Sequence, residues 1–120
     1  MNAVERVIAF CDAKLAQAVR EVERFKALFD TSPFDALVWS QPVFDAVAVI
    51  HVVGRVRLEV VSGKPLLDVR NELRTQALAK ATAPDRSSSA QANELARSEI
   101  AAMGAVLSML LPIVEKPVAA

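Results

Sequence analysis

The chain has 120 residues, 53% hydrophobic but only 5% aromatic, with one Trp, no Tyr, 3 Gly and a formal net charge of 0 from 14 basic and 14 acidic residues. That length suits one helical domain, 1–120, with a core of Ala, Val and Leu, and with 3 Gly and three Thr the chain is poor in the residues that many hairpin turns and exposed strands would use, which argues against a sandwich or barrel. Balanced charge supplies no general positive field for nucleic acid or anionic lipid, and the lone Cys11 excludes an internal disulfide framework and points to a reducing, cytoplasmic setting.

From Val4 to Phe29 the apolar residues Val4, Ile8, Cys11, Leu15, Ala18, Val22, Phe25 and Phe29 recur at spacings of three and four, with no Gly or Pro between them. The pattern predicts one amphipathic helix of about 26 residues, ~40 Å long. Asn2 is placed to cap it, with Glu5 three residues on completing a capping box. Val7, Val19 and Leu28 widen the stripe beyond a two-helix seam, so the helix reads as the spine of a small bundle. Nothing in Met1 to Arg6 has the charged start and apolar core of a signal peptide, and no export is expected.

Ser32-Pro33 ends that helix and starts a short one running to about Trp39, with Ser32 as cap and Asp35 near its positive end. Ser40-Gln41-Pro42 repeats the signal. The Phe-Asp-Ala core shared by residues 34–36 and 44–46 reads as two helix starts of the same chemistry, and not as a structural repeat.

Residues 43–61 admit two readings. On a helical wheel Asp45, His51, Arg55, Glu59 and Ser62 gather on one side, leaving Arg57 opposite, which fits a buried helix. In the alternation of 46–61, the even positions are apolar and rich in Val and Ile, which fits a β-hairpin turning at Gly54 and would make the fold α+β. The low Gly content and the first helix's need for helical partners favour the helix and an all-α fold.

Ser62-Gly63-Lys64-Pro65 punctuates strongly, because Gly63 can supply a left-handed stop and Pro65 can open the next helix. That helix runs to about Ala81 with a thin apolar side, Leu66, Val69 or Arg70, Leu73, Ala77 and Ala81, as expected at the edge of a bundle. Residues 82–89 have loop composition. Ser88 with Gln91 could cap a last helix carrying Leu95 or Ala96, Ile100, Met103, Leu107 and Leu110 or Leu111, where Gly104 would admit a neighbouring backbone. This helix is expected to end at Pro112 and residues 115–120 to form a frayed tail. Ile100 to Val114 is only 15 residues long and is interrupted by Pro112, so no membrane span is expected.

The chemistry-bearing residues are few. His51 is the only histidine, and no ligand spacing for a metal or motif for a cofactor occurs, so none is expected. Cys11 lies on the apolar stripe and reads as a core thiol. Ligand or partner candidates are His51 and Arg55, which share one side of the third helix, and the aromatics Phe34, Trp39 and Phe44, which could plug the bundle or anchor a partner. No catalytic residue stands out. The function these features point to is a non-catalytic helical interaction or assembly module, a homodimer or a binder of a partner protein. A small ligand-binding protein or enzyme with a pocket near His51, Arg55 and Trp39 is the alternative. A nucleic-acid accessory protein comes third and would need Arg55, Arg57, Arg70, Arg74 and Arg86 on one face.

Overall fold

The computed structural model describes residues 2–38, 40–82 and 90–114. Its elements are α1 (Ala3–Thr31), α2 (Pro33–Val38), α3 (Ser40–Val61), α4 (Leu66–Thr82) and α5 (Ala90–Val114). The fold is an all-α, five-helix bundle built on the long N-terminal helix, and the hairpin alternative for 46–61 is not formed. The Val-rich run stays helical because it is buried on two sides, between α1 and α5, and packing overrides intrinsic β propensity.

Local chemistry sets the helix ends. Asn2 Oδ1 accepts the Glu5 amide at 2.8 Å, capping α1. Ser32 ends α1, its amide donating to the Leu28 carbonyl at 2.7 Å, and also begins α2, its carbonyl accepting the Ala36 amide at 3.1 Å. The Ser32 hydroxyl donates to Asp35 Oδ2 at 2.8 Å. After α3, Gly63 takes φ 96°. The Gly63 amide donates to Val60 and the Lys64 amide to Glu59, both at 3.1 Å. Those two bonds form a Schellman stop, for which the left-handed residue is best a glycine. Pro65 then accepts the Val69 amide and opens α4.

Pro112 does not end α5, which continues through it to Val114. The missing amide costs little there, because its partner would be the carbonyl of exposed Ser108 in the last turns. The expected loop at 83–89, the Ser88 cap, the tail at 115–120 and Trp39 lie outside the described residues.

The helices lie in the spatial order α1, α3, α5, α4, each packing mainly on the next, while α1 barely meets α5 and α3 barely meets α4. The result is an open layer, 58 × 34 × 21 Å with a radius of gyration of 16.2 Å, where a compact chain of this length would have about 14 Å. One contiguous core of Val7, Cys11, Val53, Val56, Val60, Val69, Leu73, Met103, Val106 and Leu110 threads all four long helices.

The buried lines share Cys11, Ala18, Met103 and Leu110 with the sequence pattern and depart from it elsewhere. In α1 they are Val7, Cys11 and Ala18, while Val4 and Phe29 from the predicted stripe are exposed. In α5, Ser98, Ala102, Met103, Val106 and Leu110 are buried and Leu107 is only half-buried. Gly104 is exposed with nothing near the position a Cβ would take, so among the described residues no neighbouring backbone uses it. A stretch of α5, Asn93–Ile113, is after all long and apolar enough by length and composition to cross a membrane. Packing between α3 and α4 accounts for part of that apolarity only, since 28% of the stretch is buried within the chain.

Candidate functional site

Because α3 and α4 meet only marginally, a cleft of about 510 Å³ opens between them, with α5 beneath. Val52 and Val56 of α3, Val69 and Leu73 of α4 and Met103 of α5 form its apolar floor. Charged side chains rim it: His51, Arg55 and Glu59 from α3, Glu72 and Lys80 from α4, and Glu99 from α5.

The rim is tied at both ends. At one end Glu99, a largely buried carboxylate, accepts from Lys80 Nζ through Oε2 and faces His51 Nδ1 at 3.6 Å through Oε1, linking three helices through one group. At the other end Glu59 Oε1 lies 3.5 Å from Arg55 Nε and 3.8 Å from Lys64 Nζ. Lys64 also donates to Glu72 of α4, and that hydrogen bond raises the ammonium's pKa.

Burial by itself would push the Glu99 pKa up, but the hydrogen bond and charge of Lys80, with His51 adding to them, more than offset it and hold the carboxyl below the usual range. A carboxylate so firmly ionised is a poor proton donor or acceptor near neutral pH. It acts as a tie between helices. Since its folded pKa is depressed, its contribution is present above the unfolded carboxylate pKa and is lost as pH falls through the folded value. Glu99→Gln is expected to cost about 1 kcal/mol at pH 7, modest because Lys80 and His51 can rehydrate. In urea unfolding at fixed protein concentration, the gap between wild type and variant should narrow as pH falls below the ordinary carboxylate range. A gap that does not narrow on acidification would show that the Glu99 charge is not its source.

The candidates named from sequence are distributed unevenly. His51 and Arg55 do share the cleft rim. Phe34 stands 85% exposed on α2 and Phe44 is half-buried in α3, neither lining the cleft. Trp39 lies outside the described residues. Glu72, Lys80, Glu99 and Met103 complete the site and were missed, because α4 and α5 enter it only by tertiary packing. Glu99 did carry one signal, as the last charge before the long uncharged run from Ile100 to Val114.

Elsewhere, a shallower groove of about 500 Å³ follows the end of α1 and the start of α3, lined in part by Phe25, Leu28, Pro42 and Val43. Beside it Ser98, buried in α5, donates to Asp45 Oδ1 at 2.7 Å, and Gln41 Nε2 reaches the same oxygen at 3.2 Å. On the opposite side of α3, Arg57 Nε donates to Asp12 Oδ1 of α1 at 2.6 Å. The arginines therefore do not gather: Arg55 rims the cleft, Arg57 faces α1, and Arg70 and Arg74 lie with Leu107 and Leu111. Arg86 falls outside the described residues.

Among the described residues no group of three or more His, Cys, Asp or Glu could hold a metal ion. No protein-family model, characterised protein or solved structure matches the chain.

Proposed function

We propose that this chain is a non-catalytic helical assembly module, one domain that works as a cytoplasmic homodimer. The observation that carries the reading is the open layer of helices. The chain exposes 7822 Å², whereas a compact monomer of 12.9 kDa would expose about 6,300 Å². Large apolar side chains stay exposed on the helices, Val19, Phe29 and Leu58 among them, which is apolar surface that assembly would cover. The formal net charge of 0 offers no repulsion to self-association. The buried free thiol of Cys11 suits a reducing compartment.

Sedimentation equilibrium between 1 and 100 μM tests the assembly. A species of twice 12.9 kDa at tens of micromolar is the expected result, and a monomer throughout that range would defeat the proposal.

The cleft favours a second reading, a site for a small amphipathic molecule. Its volume is within the range of ligand pockets, its floor is apolar, and its rim charges are mutually paired, which suits a neutral ligand body over a strongly charged one. A Leu73→Trp variant, whose fluorescence reports occupation of the floor, would test it against an apolar dye.

A further inference from the structure

We infer that the outer face shared by α4 and α5 docks on the surface of an anionic lipid bilayer, with the chain lying on the bilayer and not crossing it. This face is on the far side of the α4–α5 contact from the cleft. There Leu107, Ser108 and Leu111 of α5 lie with Arg70 and Arg74 of α4. Leu67, Arg70, Arg74 and Leu78 follow one another at spacings of 3, 4 and 4, so they form one row on α4. Leu67 is 51%, Leu78 56% and Leu111 46% exposed. The row is ~16 Å long at 1.5 Å per residue, the dimension of a surface contact and not of a pocket for one small molecule.

Charge on α4 is divided between its flanks. Both of its acids, Asp68 and Glu72, stand i,i+4 on the cleft flank, where Glu72 and Lys80 line the cleft. The outer flank carries Arg70 and Arg74, a like-charge pair at i,i+4, which weakens a helix. On α5 no charged residue occurs from Ile100 to Val114, and Glu99, the charge before that run, lines the cleft. Packing within the chain covers only a minor part of this stretch. Folding therefore gives a reason neither for the arginine pair nor for the full extent of the uncharged run.

An apolar face that carries arginines and, among the described residues, no carboxylate is complementary to an anionic surface with an apolar interior. Phosphate headgroups above acyl chains have that chemistry. Leu67, Leu78 and Leu111 enter the acyl boundary, while the apolar stems of Arg70 and Arg74 let their guanidinium groups stay at the phosphates. A second copy is the poorer occupant, because a twofold contact sets the face against itself and brings like charges together. The balanced net charge of the chain is no obstacle. Attraction acts over a Debye length of ~10 Å at 0.1 M salt, so what counts is which charges face the bilayer.

Co-sedimentation with vesicles tests the face. The wild-type chain should bind phosphatidylcholine vesicles containing phosphatidylglycerol and should not bind phosphatidylcholine alone. An arginine near an anionic surface is worth about fivefold in binding, so Arg70→Gln with Arg74→Gln should weaken the association at least ~10-fold. Arg20→Gln with Lys26→Gln, the same change of net charge on exposed positions of α1, should leave it unchanged. Leu78→Glu should also abolish binding, with helicity by circular dichroism intact because Leu78 is exposed. No binding to the anionic vesicles, equal binding to both kinds, or equal losses in the two double variants would overturn the inference. Sedimentation of Leu78→Glu separates this face from the assembly reading, on which it does not rest. A dimer dissociated by that variant would give the face to a second copy and overturn the inference whatever the vesicles show.

Discussion

Truncation of Leu110 to alanine is expected to destabilise the fold by about 3 kcal/mol, whereas Leu111→Ala, one residue on, should cost less than about 1 kcal/mol. Leu110 is fully buried in the core and Leu111 is 46% exposed. The larger loss combines the transfer free energy of the removed atoms with the cavity left between α3, α4 and α5, where neighbours on both sides limit relaxation. Against a typical total of about 5–15 kcal/mol the change is large. Urea unfolding at one fixed protein concentration would show it as a lower midpoint with an unchanged slope. Equal effects at the two positions would mean that α5 presents a different arc to the core.

Cys11 provides the second large effect. Its side chain is fully buried beside Val7 in the core. Burial, with the negative charge of Asp12 adding to it and Arg57 opposing, pushes the thiol up to about 11 from an ordinary 9.0. Modification by a thiol reagent at pH 8 should be at least ~100-fold slower in the folded protein than in urea, since thiolate is the reacting form and two pH units separate the two states. The same shift has a stability consequence. The folded state keeps a proton that the unfolded state releases above 9.0, so stability falls by about 1.4 kcal/mol per pH unit between 9 and 11 and levels off beyond. Comparison with Cys11→Ala isolates this slope. Rapid labelling of the native protein would place the thiol at the surface and end the assignment of Cys11 to the core.

Much of the local structure was legible because it depends on neighbours in sequence. Asn2 has the side chain that receives the Glu5 amide, and Gly63 is the residue that can turn back at φ 96°. His51, Arg55 and Glu59 were placed on one side of α3 by periodicity, and that side does face the cleft. The other wall of the cleft was not legible. Lys80 and Glu99 are 19 residues apart and meet through a salt bridge between α4 and α5; no spacing rule of a single helix reaches that far. Arg57 was read as the odd charge on an apolar side, and its reason is Asp12, 45 residues away.

By itself the sequence determined that the chain is helical, where most of the helices begin and end, and that its core is aliphatic. These properties follow from capping side chains, a left-handed glycine and a period of three and four, all of which act within a few residues. Only the tertiary structure decided which arc of each helix is buried, Val7 over Val4 in α1 and Leu110 over Leu111 in α5. A helix with apolar residues over a wide arc is compatible with several rotations, and the neighbours it packs against select one. The tertiary structure alone also showed that the helices form an open layer, because closure of a bundle depends on how α1 and α4 pack across the chain, which no local pattern records.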